Sequence, residues 1–304
     1  MARRTALDLL GLMLKAAPVP DIPPGRMVEL PGRGRTYLVD TGEPPRGPAA
    51  ADDADRIAAE PQTVILLHAL ACTGLLTWYP CLAGLRRRYR VIVYDQRWHG
   101  QGIKDGPFRL DDCADDVAAV ADVLGIDRFV VAGYSMGTIV GQLAWQRHRD
   151  RVAGLVLCAG ATHFADEPRR QDAVRRAGSR LTAAAERQRR IIAQLLDQTV
   201  DDRWAWRQFR STSGSAVAGA AAVIARFDSR PWIGEVDVPT AVVVTARDRL
   251  ILPSRQRAMA RAIPRSTSYE VAAGHASCVL GAERFRPALL AATASVSSRI
   301  GVPR

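Results

Sequence analysis

The clearest indication of the fold is the segment FVVAGYSMGTIVGQLAWQR, residues 129–147. It opens with a continuous apolar run at 129–132, which is typical of a strand buried on both faces. Gly133-Tyr134-Ser135-Met136-Gly137 follows, and the residues after it are compatible with a helix. The stretch therefore predicts a buried strand, a sharp turn at Ser135 and a helix over 136–147.

Similar apolar runs recur on both sides of this stretch. They lie at 63–67, 91–94, 155–157 and 241–244. Segments with helical patterning separate them, among them 111–124, for which Asp111 is the candidate N-cap. Nearer the N-terminus, short strands at 27–30 and 36–40 flank Pro31-Gly32-Arg33-Gly34 as a hairpin. Strands that alternate with helices predict a doubly wound, mostly parallel α/β sheet.

The alternation stops near residue 163 and resumes near 235. Residues 167–228 show helical patterning, carry many arginines and contain no buried-strand run. We interpret this segment as a helical cap inserted into the sheet domain. The predicted divisions are an N-terminal helical extension (1–24), the first part of an α/β core (25–162), the cap (163–234) and the second part of the core (235–304).

The formal net charge is +11, yet the composition argues against a nucleic-acid partner. Basic residues are almost all arginine, acidic residues are interleaved with them, and no basic stripe carries stacking aromatics. The five cysteines are odd in number and show no C-x-x-C spacing, so neither a disulfide framework nor a zinc site is indicated. A reducing, cytoplasmic location is expected.

Residues 1–17 resemble a signal peptide only superficially. Asp8 interrupts the apolar run, Lys15 ends it early, and no A-x-A cleavage site follows. We expect a short helix that either packs on the protein's own surface or makes a weak membrane-surface or dimer contact through residues 6–14, where three leucines share a face. No run of 18 apolar residues predicts a transmembrane helix. The sequence leaves the oligomeric state open.

Ser135 stands at the centre of a G-x-S-x-G pattern. A residue at so sharp a strand-to-helix turn takes strained backbone angles, and only small residues two positions away leave room for it. The turn exposes the hydroxyl and directs N–H groups of the following helix toward developing negative charge. The pentapeptide alone often occurs by chance, but its place between strand and helix makes Ser135 the candidate nucleophile.

A serine hydroxyl needs a base that accepts its proton. His275 lies in a short turn after the strand predicted at 267–271, near the C-terminus, where this base is expected. The other histidines have structural explanations or lack an evident partner: His68, His99, His148 and His163. His275 is therefore the candidate base.

An acid that orients the base should follow a strand and lie between the serine and the histidine in sequence. Asp248 comes shortly after the run at 241–244, at the carboxyl end of that strand. Asp237 precedes the same strand and would lie at the opposite edge of the sheet. The order Ser135, Asp248, His275 is the one that this architecture requires.

Together these features resemble the α/β-hydrolase superfamily over about residues 25–300, with the cap the least similar part. The nearest likeness is to small serine esterases and to enol-lactonase-like or C–C-bond hydrolases. The family's H-G-x segment after the first buried strand corresponds to His68-Ala69-Leu70. The resemblance implies that backbone N–H groups of Leu70 and Met136 form an oxyanion hole.

The sequence departs from the family pattern at two positions. Ala69 replaces the usual glycine of H-G-x, and Trp98 replaces a glycine of the family's D-x-R-G-H-G loop. Neither change removes a catalytic group. A serine nucleophile, in place of an aspartate, argues against haloalkane dehalogenases and typical epoxide hydrolases.

These residues predict a serine hydrolase that cleaves a carboxylic ester, lactone or thioester of a largely apolar small molecule through an acyl-enzyme, without metal or organic cofactor. A C–C-bond hydrolase or an acyltransferase could use the same triad, and a ligand-binding receptor on a hydrolase scaffold is a further alternative. Five residues could line an apolar pocket but are equally explained as ordinary core: Ala69, Trp78, Tyr134, Trp204 and Trp206.

Overall fold

Eight strands form one sheet in the computed structural model, which describes residues 23–45, 62–164 and 204–301. In chain order they are β1 (Arg26–Leu30), β2 (Gly34–Asp40), β3 (Thr63–Leu67), β4 (Arg90–Tyr94), β5 (Phe129–Tyr134), β6 (Val152–Cys158), β7 (Thr240–Thr245) and β8 (Thr267–Val271). Across the sheet they follow the order β1-β2-β4-β3-β5-β6-β7-β8. The hairpin β1–β2 and the pair β2–β4 are antiparallel, and the remaining pairs are parallel.

Helices cover both faces of this sheet. The α-helices of the described ranges are α1 (Gly74–Leu85), α2 (Leu110–Val123), α3 (Met136–Arg147), α4 (Trp204–Arg210), α5 (Gly214–Ile224), α6 (Pro253–Ala262), α7 (Ser277–Leu280) and α8 (Ala282–Ser297). Residues of α2, α3 and α6 join the core cluster on one face, and residues of α1 and α8 join the cluster on the other. Every residue of β3, β5, β6 and β7 is buried, which explains their continuous apolar runs.

The doubly wound α/β fold predicted from the sequence is confirmed. One detail is wrong, because Asp111 does not cap α2. That helix begins one residue earlier, at the buried Leu110, with Arg109 in the N-cap position and no side-chain capping bond. Asp111 instead lies in the first turn, where a negative charge interacts favourably with the helix dipole.

Each of the four predicted divisions falls partly outside the described residues. The parts outside are residues 1–22 of the N-terminal extension, 46–61 and 302–304 of the two core parts, and 165–203 of the cap at 163–234. The part of the insertion that is described contains α4 and α5 between β6 and β7. In the described ranges, no helix has both the length and the apolar character needed to cross a membrane. All five cysteines are described, and each is a free thiol.

The sheet brings several loops to one edge. Because β3, β5, β7 and β8 run parallel, the loops that leave their carboxyl ends lie along the same edge. Ser135 directly follows β5, Asp248 follows β7, and His275 follows β8. The candidate site is therefore assembled from residues that are up to 140 positions apart in sequence.

Candidate active site

Ser135 occupies a strained turn between β5 and α3. Its backbone has φ 53° and ψ −110°, in the left-handed half of conformational space that residues with a Cβ rarely adopt. The turn has no room for side chains on either side. A Cβ added to Gly133 would lie 2.2 Å from the carbonyl oxygen of Gly137, and one added to Gly137 would lie 2.2 Å from that of Leu67. The glycines of the pattern are thus required by close backbone packing.

His275 reaches the serine from the loop after β8. Its Nε2 lies 2.9 Å from the Ser135 Oγ, and its Nδ1 lies 2.7 Å from Oδ2 of Asp248. The imidazole is about one-fifth exposed, whereas the Asp248 side chain is fully buried. The structure thus brings together all three residues that the sequence predicted as nucleophile, base and orienting acid.

Asp248 is held by donors to both of its oxygens. Its Oδ1 accepts the backbone N–H groups of Leu250 and Ile251, at 2.8 and 3.0 Å. Its Oδ2 accepts from the Thr245 hydroxyl and from Gln256 Nε2, in addition to His275. Burial alone would raise the pKa of this carboxyl, but the hydrogen bond and charge of His275, with the Ile251 and Thr245 donors, lower it below its ordinary value. The carboxylate is therefore ionised when the imidazole becomes charged.

With Asp248 ionised, its hydrogen bond selects one form of the imidazole. A carboxylate accepts only, so Nδ1 of His275 must carry the proton that points to Asp248. In a neutral ring this leaves the lone pair on Nε2, the nitrogen that faces Ser135. The arrangement can therefore take the serine proton as the hydroxyl attacks a carbonyl.

The backbone N–H groups of Met136 and Leu70 are the ones expected to stabilise an oxyanion. Met136 is the first residue of α3, and Leu70 lies in the loop between β3 and α1. Within the described ranges, neither N–H donates a hydrogen bond to the protein. The left-handed residue of the Leu70 loop is Ala71, at φ 64°, and Ala69 has no positive φ. The alanine that replaces the family's glycine therefore does not strain this loop.

Two other histidines brace the loops around the site. The ring of His68 contacts the Ala69 carbonyl through Nδ1 and accepts the Gln96 backbone N–H through Nε2. His99 Nδ1 lies 2.8 Å from the Arg97 carbonyl. Burial lowers the pKa of both imidazoles, that of His99 to about 4, so both are neutral at pH 7. Their contacts match the structural role that the sequence suggested for them.

His148 and His163 contact other residues of the chain. His148 follows α3, and its Nε2 is 2.9 Å from Oδ1 of Asp115. His163 follows β6 at the start of the insertion, where it forms an isolated bridge with Asp228 and its Nδ1 lies 3.2 Å from the Thr162 hydroxyl.

The five residues predicted for a pocket have different surroundings. Trp78 has no exposed surface and packs in the core, so the structure offers its ring no contact with a substrate. Trp204 is half-buried and packs edge-on against Tyr79, with ring centroids 5.2 Å apart. Ala69 is half-buried at the Leu70 loop. Trp206 belongs to α4, and its side chain lies outside the described residues. For Ala69, Trp204 and Trp206 the pocket role stays a prediction.

Tyr134 was predicted to line a pocket, but its hydroxyl is turned toward the loop that carries His275. It donates to the His275 carbonyl at 2.7 Å and lies 3.0 Å from the Ser277 hydroxyl. The sequence reasoning missed Thr245, Gln256 and Ser277. Only for Thr245 was there a signal, since it is a small polar residue at the carboxyl end of a buried strand and three positions before the predicted acid.

Trp98 lies at the position where the family has a glycine, and it keeps the glycine-like backbone. Its φ is 63°, which costs a residue with a Cβ about 1–2 kcal/mol. Its ring packs at a tilt against Phe108, with centroids 6.0 Å apart, and reaches within about 3 Å of where a Cβ on Gly219 of α5 would lie. The bulky ring thus packs against the described part of the insertion.

Comparisons with known proteins identify the family of this chain. A family profile described as the α/β hydrolase fold matches residues 62–282. A protein of Pantoea ananatis that carries the name carbamate hydrolase RutD is 35% identical over 120 residues, which cover 39% of this chain and less than half, 43%, of that relative. The 3-oxoadipate enol-lactonase 2 of Acinetobacter baylyi is 26% identical over 233 residues, covering 71% of this chain and 83% of the relative.

A solved structure is also similar to this chain. The thermophilic esterase of Thermogutta terrifontis superimposes with a TM-score of 0.68 at 25% identity and covers 90% of this chain and 99% of its own. The family profile spans most of this chain, including the Ser135 turn, the Asp248 loop and His275. The chain belongs to the α/β-hydrolase fold family, and it is a hydrolase.

Proposed function

We propose that this hydrolase cleaves a carboxylic ester or lactone of a largely apolar small molecule through an acyl-enzyme on Ser135. The observation that carries the proposal is the unbroken chain of contacts from Ser135 Oγ through both nitrogens of His275 to Asp248, at 2.9 and 2.7 Å. An activated serine needs this arrangement, whereas a protein that only binds a ligand does not.

Acylation follows from these contacts. As Ser135 Oγ attacks the carbonyl carbon, its proton moves to His275 Nε2, and buried Asp248 stabilises the imidazolium that forms. The carbonyl oxygen becomes an oxyanion and accepts the N–H groups of Leu70 and Met136, which donate to no other described group. Loss of one such donor costs about 2.7–4 kcal/mol of transition-state stabilisation.

His275 also carries the proton through the end of acylation and through deacylation. The imidazolium returns its proton to the leaving alkoxide, so that the alcohol departs and the acyl group stays on Ser135. Water then loses a proton to Nε2 as it attacks the ester, and the serine proton is restored when the acid leaves. Each step uses only groups of this chain and water.

The names of the relatives support a carbonyl substrate with an oxygen or nitrogen leaving group. Their names include an enol-lactonase, a carbamate hydrolase and an esterase. All three reactions begin with a nucleophile adding to an acyl carbon, which the proposed triad can perform. We favour esters and lactones because an enol-lactonase and an esterase are each similar to this chain over most of its length. A carbamate hydrolase also covers 75% of it, so carbamates belong in the same substrate test.

We also propose that residues 163–234 form a cap over the site. The described helices α4 and α5 are tied to loops of the core at three points, which supports this role. Thr73 Oγ1 donates to Gln208 Oε1 at 2.6 Å, the Gly100 N–H donates to the Thr212 hydroxyl at 3.0 Å, and the Trp98 ring packs on Gly219. We also propose that the protein is cytoplasmic, that its partner is a small-molecule substrate and that it does not bind nucleic acid.

Labelling with a fluorophosphonate tests the nucleophile. We expect the protein to be labelled once, Ser135→Ala to be unlabelled, and Ser254→Ala, which removes an exposed serine in α6, to be labelled like the wild type. Labelling that persists in folded Ser135→Ala would refute the assignment. A panel of p-nitrophenyl esters, lactones and carbamates, assayed with and without an added acceptor alcohol, then separates hydrolysis from acyl transfer.

A further inference from the structure

The residue before the nucleophile contacts the residue proposed as the base. Tyr134 is the last residue of β5, and its hydroxyl donates to the backbone carbonyl of His275 at 2.7 Å. Ser135, the next residue, faces the side chain of the same histidine, with 2.9 Å between Oγ and Nε2. Two consecutive residues thus contact opposite ends of His275, one at its main chain and one at its imidazole.

The available donors and acceptors determine the direction of these hydrogen bonds. Tyr134 has one hydroxyl proton, and the His275 carbonyl can only accept it. Ser277 Oγ, 3.0 Å from the Tyr134 oxygen, therefore donates to it. Burial raises the pKa of Tyr134 well above its ordinary value, so the hydroxyl keeps its proton at all working pH values. Both ends of the His275–Ser277 segment are thereby joined to β5.

The tyrosine ring itself is fixed. It is about 1% exposed and packs edge-on against Phe285 of α8 and Trp78 of α1, with centroids 5.3 and 6.1 Å away. It also meets the His275 imidazole at 6.0 Å, again at a steep angle. Because packing fixes this ring relative to the sheet, the carbonyl that accepts its hydroxyl proton is also held at a fixed position relative to the sheet.

Among the described residues, few other hydrogen bonds hold the loop near His275. Upstream, the N–H groups of Ala246 and Arg247 donate to Val271 and Ala273, before the loop turns. At the turn the backbone contacts are local, with Ser277 N–H donating to the Gly274 carbonyl. Among the described residues, the Tyr134 hydroxyl is the one group from the sheet that binds the main chain of His275.

We propose that Tyr134, with Ser277, is a positioning residue that holds His275 in register with Ser135 and Asp248. The proposal rests on the proposed serine hydrolase mechanism. Its physical basis is that catalysis requires the imidazole within hydrogen-bond distance of both partners at once, and a shift of about 1 Å is enough to cost two orders of magnitude. Tyr134 does not touch substrate and acts only through the main chain of the base.

The test is Tyr134→Phe, which removes one oxygen and keeps the ring in the core. The matched control is Tyr94→Phe, because the Tyr94 hydroxyl is also buried but makes no hydrogen bond in the described structure. We expect Tyr134→Phe to lower kcat on an ester roughly tenfold with KM changed less than about twofold, since the group acts on orientation rather than on substrate binding. Tyr94→Phe should leave both constants unchanged.

Two further readouts separate positioning from general packing. The rate of fluorophosphonate labelling should fall with kcat in Tyr134→Phe, because both depend on proton transfer to His275. The low-field proton signal of the His275–Asp248 hydrogen bond should broaden or vanish in this variant and persist in Tyr94→Phe. Thermal melting of both variants, measured in parallel, gives the purely structural effect of each lost hydroxyl.

The outcomes distinguish this inference from the proposed function. If Ser135→Ala is inactive but folded Tyr134→Phe matches Tyr94→Phe in kcat and labelling rate, the positioning role is overturned and the mechanism stands. If Ser135→Ala retains activity, the mechanism itself fails. Should Tyr134→Phe not fold, Ser277→Ala serves in its place, and wild-type kcat in that variant would overturn the role.

Discussion

Asp248 and His275 form a 2.7 Å hydrogen bond in which the carboxylate is fully buried and the imidazole is partly exposed. This difference in exposure suits the different roles of the two groups. The acid accepts four further hydrogen bonds and has no exposed surface, whereas the base is about one-fifth exposed and contacts Ser135. Because the carboxylate is preorganised, no reorganisation of its surroundings is needed when the imidazole becomes charged.

Asp248→Asn should reduce kcat by about three to four orders of magnitude with little change in KM. The amide keeps an oxygen for the Leu250 and Ile251 N–H groups, but the nitrogen that then faces His275 turns the imidazole into the wrong tautomer. Steady-state kinetics on an ester measures the effect. Asp115→Asn is the matched control, because Asp115 also pairs with a histidine, His148, that faces no serine. Wild-type activity in Asp248→Asn would contradict the assigned role.

Gly137→Ala should destabilise the fold by at least about 2–3 kcal/mol. The new Cβ would lie 2.2 Å from the Leu67 carbonyl oxygen, so the Ser135 turn must move away from β3. Gly234→Ala is the control, because its Cβ finds no atom nearer than 3.8 Å. Chemical denaturation of the two variants checks this, and equal free energies of unfolding would show that the turn has room after all.

At position 98 we expect glycine to be more stable than alanine by about 1 kcal/mol, the reverse of the ordinary order. Both Trp98→Gly and Trp98→Ala lose the ring's packing on Gly219, but only alanine retains the strain of φ 63°. The same two substitutions at Trp232, where φ is −135°, should follow the ordinary order. Free energies of unfolding for the four variants decide between the two orders.

Stability should decline on acidification from about pH 6.5 to about pH 4, partly through His99. Burial lowers the pKa of its imidazole from 6.5 to about 4, so the unfolded chain binds a proton in this range that the folded chain does not. By linkage, the free energy of unfolding then decreases as pH falls, by an amount on the order of 3 kcal/mol for this group. Buried His68 acts in the same direction.

His99→Asn should flatten this pH dependence, because the amide keeps a donor for the Arg97 carbonyl but does not titrate. The measurement is urea unfolding at several pH values between 4 and 7.5 for the wild type and the variant. Gln101→Asn, which replaces an exposed side chain that does not titrate, is the control and should keep the wild-type slope. Parallel curves for wild type and His99→Asn would rule out a contribution from this imidazole.

Much of the fold could be predicted because buried parallel strands leave a direct trace in the sequence. β3, β5, β6 and β7 are buried at every residue and mostly apolar, since helices cover both of their faces. The start of α2 was misjudged by one residue, because burial of Leu110, and not the capping preference of Asp111, decides where that helix begins. Packing of a residue in the core often outweighs the local preference of its neighbour for a capping position.

Residue type alone did not distinguish the roles of the aromatic residues. Trp78 and Tyr134 are both buried next to Phe285, yet only Tyr134 has a hydroxyl within reach of the His275 loop. A pattern that marks both as apolar and aromatic cannot separate a core residue from one that orients a base.

Strand periodicity and glycine spacing are local properties, so the sequence was enough to predict the doubly wound sheet, the Ser135 turn and the chain order of Ser135, Asp248 and His275. Thr245 and Gln256, which bind the acid, are three and eight residues from it, but that they point toward it emerges only once β7 and α6 are packed. The contacts of Tyr134 with His275 and Ser277 join residues about 140 positions apart. Folding alone creates them, because the parallel sheet places the carboxyl ends of β5 and β8 at the same edge.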